Sequence, residues 1–476
     1  MAGLERQANE NHKNVVVVVV PFPAQGHLNQ LLHLSRLISA YNIHVHYVAT
    51  TTHCQQATIR VHGWNPLLTS HLIHFHEVPT PAFSSPPPNP HASLKFPSHL
   101  QPSFDAALLL REPVAALVSL LSPSARRVIV IHDSFIPSVI QDVVSIPNVE
   151  AYSFQPISTF WIACNYSEIV GKPLPIDDDV ARKLPRKGTT MTSEMTELVN
   201  RQKRYHKYRS GVLFDTCRAI EGPFLDVLAK VNAKQWAIGP FNPVEISTKS
   251  TEQRHSCLEW LDNQAPDSVI YVSFGTTTTL TNEQIHSLAI GLENSGQKFV
   301  WVLRDADKGD IFTGNSRVCQ LPKGYEERIG IKGQGIILRD WAPQLDILAH
   351  VSTGGFMSHC GWNSCMESMT MGVPMATWPM HSDQPHNALL VTKVLKIGVV
   401  VKDWACSESS EELVESLTIE KAIKELMASK EGEEIRRRAV QLGTAVKRSV
   451  AEGGDSRREF DDFITHICRF HHRSNL

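Results

Sequence analysis

The stretch HCGWNSCMES, beginning at His359, sets His, Gly, Trp, Asn and Ser within six residues. It follows the apolar run GGFMS, so it sits where a strand turns into a helix. The first four N–H groups of a helix lack partners inside it, and the helix dipole favours negative charge there. Those backbone donors, with the side chains of Asn363 and Ser364, form a seat for phosphate, a use compatible with either side chain capping the helix. Glu367 lies four residues after Asn363 and three after Ser364, on the same helical face. A carboxylate there can accept both hydroxyls of a ribose. Trp341 heads WAPQ after the run QGIILRD and offers an indole face to a base. Asp383 and Gln384 precede Pro385 at the start of a further helix and offer an adjacent pair to sugar hydroxyls. Gly275–Thr276, closing VIYVSF, adds a hydroxyl and backbone donors for a diphosphate. Each residue alone also has a plain structural reading, as core tryptophan, helix cap or strand end. Together they supply every group that a nucleotide diphosphate sugar requires.

The N-terminal half carries a different chemistry. PFPAQGHLNQ puts His27 just after a strand, at the opening of a helix, where the dipole favours the neutral imidazole that a general base requires. Asp133 ends the strand RRVIVIHD, and parallel strands bring both carboxyl ends to one cleft. An Asp bonded to one ring nitrogen sets the tautomer and stabilises the imidazolium that forms. His132 should point to the opposite side of its strand.

These groups need two scaffolds. A chain of 476 residues exceeds what one core usually supports, so two domains are expected. The first half alternates apolar β-branched runs (NVVVVVVPF, IHVHYVAT, LIHFHEV, RRVIVIHD) with helical segments such as GHLNQLLHLSRLISA, and the second half repeats that rhythm from SVIYVSFG to IGVVVKD. The expected fold class is α/β, two facing Rossmann-like domains with parallel sheets, and ligands then bind in the cleft at the carboxyl ends of the strands. We place the N-terminal acceptor-binding domain at 1–243, a polar aperiodic linker at 244–255 and a nucleotide-sugar-binding domain at 256–455. Residues 456–476 form an amphipathic helix and tail packing back on the N-terminal domain. Eight prolines between Pro79 and Pro102 predict a long surface loop.

The totals exclude several classes. With 42% hydrophobic and 20% charged residues and a net charge of −2, no basic face for nucleic acid or anionic membrane is implied. Pro21 stops the six-valine run from Val15, and glutamates precede it, which fits a buried strand rather than a signal peptide; no stretch reaches membrane-spanning length. Nine scattered cysteines, without a CxxC pair, read as reduced thiols in a cytoplasmic protein. The HVH and HFH runs at His44 and His74 alternate like metal ligands but lack a third ligand, and Asp177–Asp179 lies in a loop, so no metal is expected. No GxGxxG follows an early strand, which disfavours an NAD-dependent oxidoreductase. A nucleotide-sugar sensor would keep the C-terminal groups and lose the base, whereas His27 is present.

The run WAPQLDILAHVSTGGFMSHCGWNSCMESMTMGVPMATWPMHSDQ, 44 residues from Trp341 to Gln384, resembles the signature box of plant UDP-dependent glycosyltransferases (glycosyltransferase family 1). PFPAQGHLNQ and HDSF extend the resemblance over nearly the whole chain. It implies the two-domain GT-B architecture. It also implies that Trp341 stacks on uracil while the Ala342 backbone reads its edge, and that Gln344 and Glu367 hold the ribose. His359, Asn363, Ser364 and Thr276 would meet the diphosphate, with Trp362, Asp383 and Gln384 around the sugar. His27 and Asp133 would be the catalytic dyad. A terminal Gln in the box favours UDP-glucose as co-substrate, with UDP-xylose open. PMHSDQPHNALLVTKVLKIGVVVKDW and AYSFQPISTF resemble zeatin O-glucosyltransferases in particular, implying a cytokinin hydroxyl as acceptor. Flavonoid or other phenolic acceptors, O- or C-linked, remain open. The acceptor pocket should come from the N-terminal domain, including the proline-rich loop, Phe154, Phe160 and Trp161, and the protein should act as a monomer.

Overall fold

A computed structural model of the chain describes residues 15–469, apart from 62, 70, 171–172, 186–189, 233, 247–253, 314–316 and 405–411. Most of the expected linker, and the tail after Arg469, therefore lie outside the described residues.

Seven parallel strands form the first sheet: β1 Val15–Val20, β2 His44–Thr50, β3 Ile73–Val78, β4 Arg127–Asp133, β5 Val149–Gln155, β6 Gly211–Phe214 and β7 Gln235–Ala237, in spatial order β3-β2-β1-β4-β5-β6-β7. Six more form the second: β8 Val269–Ser273, β9 Lys298–Val302, β10 Gly335–Leu338, β11 Thr353–Ser358, β12 Met375–Thr377 and β13 Gly398–Val400, in order β10-β9-β8-β11-β12-β13. Strands covered on both faces read as continuous apolar runs, and β1 (VVVVVV) and β8 (VIYVS) do. Strands β5 to β7 escape a reading by apolar runs: VEAYSFQ mixes polar residues with apolar ones, and GVLF and QWA are short.

The topology decides where a cleft falls. The chain leaves β1 toward β2 and β3, then returns to β4 on the other side; β8 relates to β9, β10 and β11 in the same way. Each sheet thus has a switch point, between β1 and β4 and between β8 and β11, where diverging connections leave a crevice at the strands' carboxyl ends. Asp133 ends β4, and His359 follows β11.

Six helices matter here: α1 Gln25–Ser39, α2 Thr51–Arg60, α3 Gln344–Ala349, α4 Trp362–Met371, α5 Gln384–Leu389 and α6 Asp455–Cys468. In α1, Leu28, Leu31, Leu32 and Leu34 are all fully buried, each worth about 1.5–3 kcal/mol relative to exposure. Helix α6 belongs to the same core cluster: Phe463 is fully buried, edge-on to Tyr152 on β5 (centroids 5.5 Å apart) and beside Trp236 on β7 (5.2 Å).

The proline-rich segment runs as an irregular, largely exposed loop to Pro97, but its far end turns inward. Phe96 and Leu100 are buried, and a helix starts at Gln101 with Pro102 in its first turn, where a missing N–H costs nothing. Among the described residues no helix is long and apolar enough to cross a membrane.

Candidate active site

One cavity of about 260 Å³ opens between the two sheets, and its walls include His27, Thr276, Trp341, Ala342, Gln344, His359, Trp362, Asn363, Ser364, Glu367, Asp383 and Gln384. Of the expected catalytic and donor-binding residues, only Asp133 does not line it; it stands fully buried behind His27.

The parallel register of β1 and β4 pairs Val20 with His132, which sets Asp133 beside the turn leading from β1 into α1. There His27 Nδ1 lies 2.7 Å from Asp133 Oδ2, and the second carboxylate oxygen accepts the Phe135 backbone N–H at 2.9 Å. A carboxylate is an acceptor only, so the ring proton sits on Nδ1 and Nε2 is left as the basic nitrogen. Phe22 and Phe135 flank the imidazole, their centroids 5.2 and 5.4 Å from it. His132 turns the other way; its Nδ1 lies 2.9 Å from the Asp133 carbonyl oxygen, and burial pushes it down to about 4.

In the C-terminal half, Gln344 at the start of α3 ties the polar wall together. Its amide donates to Glu367 Oε2 at 2.7 Å and to Ser364 Oγ at 3.1 Å, while its carbonyl accepts the Tyr271 hydroxyl at 3.3 Å. Burial pushes Glu367 up to about 7, and the Gln344 donor opposes that rise. Helix α4 begins after Gly361 without a side-chain cap, and Gly372 in the left-handed region ends it. Neither Asn363 nor Ser364 caps it, so the first-turn amides are not covered by these side chains.

Asn363 instead reaches across the cleft. Its amide donates to the Gly26 carbonyl at 2.9 Å and its own carbonyl accepts from Gln30, both on α1. Trp362 crosses as well, its indole N–H donating to the Asp215 carbonyl at 2.9 Å. The helix that offers the phosphate seat is thereby bonded to the helix that carries His27.

His359 is buried and held neutral, its pKa lowered to about 4 by burial, and its Nδ1 has no hydrogen-bond partner among the described residues. Gly275, with φ +74°, passes so close that a Cβ there would lie 2.7 Å from the imidazole.

Gln384 lines the cavity with its carbonyl already engaged. Its carbonyl accepts the backbone N–H groups of Met380 and His381 at 2.9 and 3.0 Å, so that oxygen holds the preceding turn rather than projecting as a free sugar contact. Asp383 stands at the cap position of α5 without capping it; its carboxylate accepts from Asn387 at 2.7 Å, and burial raises it to about 6.

Of the expected acceptor elements, Trp161 reaches the cavity and the proline-rich loop does so through Phe96 and Pro97. Phe154 and Phe160 are fully buried against Phe241 and Phe224. The rest of the apolar wall comes from Phe22, Phe104, Phe135, Met191, Met195 and Val199. Phe22 stands within PFPAQGH and His381, which lines the donor side, within MHSDQ, so both were within reach of the sequence. Met191 and Met195 carry no such signal.

The strand histidines pair with one another: His44 with His74 at 2.9 Å and His46 with His76 at 2.7 Å. Among the described residues no group of three or more His, Cys, Asp or Glu is arranged to hold a metal ion.

Two parallel α/β domains meeting at such a cleft form a GT-B architecture with a seat for a nucleotide sugar. Residues 13–243 match the family described as glycosyltransferase, N-terminal domain, and residues 244–437 the family described as UDP-glucoronosyl and UDP-glucosyl transferase. The chain is 54% identical to zeatin O-glucosyltransferase of Phaseolus lunatus, covering 96% of this chain and 97% of that one. It is 52% identical to zeatin O-xylosyltransferase of Phaseolus vulgaris, covering 97% and 100%. Among solved structures, the Glycyrrhiza uralensis protein complexed with glycyrrhetinic acid 3-O-monoglucuronide superposes with a TM-score of 0.76 at 26% identity over 95% of each chain. The chain therefore belongs to the plant UDP-glycosyltransferases and is a transferase, similar to those that act on zeatin.

Proposed function

We propose that this enzyme transfers glucose from UDP-glucose to a hydroxyl of a small plant metabolite, a cytokinin of the zeatin type, with inversion at the anomeric carbon. The observation that carries this reading is the His27–Asp133 pair opening onto the same cavity as Trp341, Gln344, Glu367 and the first turn of α4. In this reading Trp341 stacks on the uracil and the Ala342 backbone meets its edge. Glu367, oriented by Gln344, accepts the ribose hydroxyls. The α4 amides, with Ser364, Thr276, His359 and Asn363, receive the diphosphate, and Asp383, Gln384 and Trp362 border the sugar.

The acceptor lies against the phenylalanine and methionine wall with its hydroxyl at His27 Nε2. Its oxygen attacks C1 of the α-linked glucose while its proton passes to Nε2, and the bond from C1 to the diphosphate oxygen breaks. UDP departs with the electron pair, and the product is the β-glucoside. Asp133 stabilises the imidazolium formed. Charge building on the diphosphate is met by backbone donors and the helix dipole. The chemistry requires no metal, and the enzyme acts in the cytoplasm as a monomer.

A second donor, UDP-xylose, is favoured by one observation: the 52% identical relative is a xylosyltransferase. The test incubates the protein with UDP-glucose or UDP-xylose and a panel of zeatin and flavonoids and reads the added sugar by mass. His27→Ala should keep donor affinity and lose turnover by about 10²–10⁴-fold. Turnover surviving in that variant removes His27 from the mechanism.

A further inference from the structure

Helix α2 ends at Arg60, in the N-terminal domain and outside every motif that signals donor binding. Its guanidinium lies over the Trp341 indole, 4.7 Å from the ring centroid, yet Arg60 is not among the residues that line the cavity. The indole borders the cavity, and the Arg304 guanidinium, which does line it, lies farther from the same ring at 5.9 Å. Arg60 also forms a two-pronged ion pair with Asp307 in the C-terminal domain, and the Asp307 carboxylate accepts from Arg304 as well. The pair is nearly shielded from water, with side-chain exposures of 11% and 9%.

Asp307 is tied to the donor side and Arg60 to the base side. The Asp307 backbone N–H donates to the Thr276 carbonyl at 2.7 Å, in the loop expected to meet the diphosphate, and its own carbonyl lies 2.9 Å from His99 Nε2 of the N-terminal domain. The Arg60 carbonyl accepts from Asn29 at 3.4 Å, two residues beyond His27 on α1, and Asn29 accepts from Gln25 at 2.8 Å. One buried cation thus joins three things: the indole expected to carry the base, the loop expected to carry the phosphates, and the helix that carries His27.

The geometry points to Arg60 as a positioning residue that holds Trp341 and the Thr276 loop in their donor-receiving arrangement from across the domain cleft, so that donor affinity depends on an N-terminal residue that does not line the cavity. This rests on the proposed seating of the base on Trp341. A guanidinium held over an indole and shielded from water contributes well because neither its charge nor the ring is competed for by solvent. Asp307 keeps the cation from being buried unpaired, and Lys cannot reproduce the two-pronged geometry.

The experiment is titration of UDP and of uridine into wild type, Arg60→Ala, Arg60→Lys, Asp307→Asn and Trp341→Ala, with a thermal melt of each. Arg60→Ala should weaken both ligands about tenfold, equivalent to ~1.4 kcal/mol, because Trp341 and the Thr276 loop must then be ordered at the expense of binding. It should raise KM for the donor more than it lowers kcat. Arg60→Lys should recover part of the loss, and adding Arg60→Ala to Trp341→Ala should cost little more than Trp341→Ala alone. Unchanged or tighter binding in a folded Arg60→Ala, or fully additive losses in the double variant, overturns the inference. If Arg60→Ala does not fold, the same reading is taken from Asp307→Asn, which keeps the cation but weakens its hold. Failure of the wild type itself to bind UDP would instead overturn the proposed function.

Discussion

Glu367 allows a quantitative prediction. In the protein without ligand, burial raises its carboxyl to about 7, so at pH 6 it is mostly protonated. Accepting two ribose hydroxyls requires the ionised form, so donor binding below pH 7 must first release a proton. The sign follows: affinity rises with pH through about 7 and levels off above it. With one titrating group the dissociation constant scales as 1 + 10^(pKa − pH), which weakens binding about tenfold between pH 8 and pH 6, equivalent to ~1.4 kcal/mol. UDP-glucose is the probe to use, because its diphosphate is a diester and does not titrate in this range. Asp383, raised to about 6, changes in the same direction, and the Asp383→Asn variant separates its share. Isothermal titration at pH 6, 7 and 8 in buffers of differing ionisation enthalpy would also count the protons released. In Glu367→Gln the pH dependence should flatten and affinity fall at pH 8. A wild-type affinity constant across this range, or a slope as steep in Glu367→Gln as in wild type, would refute the assignment of Glu367 to the ribose.

The Gly275→Ala variant should bind UDP-glucose more weakly by about 1–2 kcal/mol, since alanine resists φ +74° and its Cβ would press on His359 at 2.7 Å; calorimetry with a parallel melt checks it. Phe463→Ala should destabilise the N-terminal domain by about 3–5 kcal/mol, because a fully buried ring between Tyr152 and Trp236 is removed. Chemical denaturation reads that loss, and a change under 1 kcal/mol would mean that α6 is not part of this core.

The sequence alone determined the kind of fold and the chemical inventory. Val15–Val20 could only be a strand covered on both faces, and the regular alternation of such runs with helices leaves a doubly wound architecture as the economical way to bury them. Trp341, Ser364 and Glu367 were legible because a motif at a strand-to-helix junction carries its chemistry locally, whereas Gln344 came only with the family resemblance. Relations between residues distant along the chain came only with packing in three dimensions. His27 and Asp133 are 106 residues apart and meet through the β1–β4 register. Asn363 turned out to bind α1 rather than cap its own helix, and the Gln384 carbonyl was drawn to its own turn. Phe154 and Phe160 went to the core while Met191 and Met195 came to the cavity. Arg60 shows the reason most plainly: an arginine at a helix end has no periodicity or motif, and its partners Trp341 and Asp307 lie some 250 residues away or more. Hydrophobic period and local capping are written along the chain, whereas a contact across a cleft exists only once both sheets have been packed against each other.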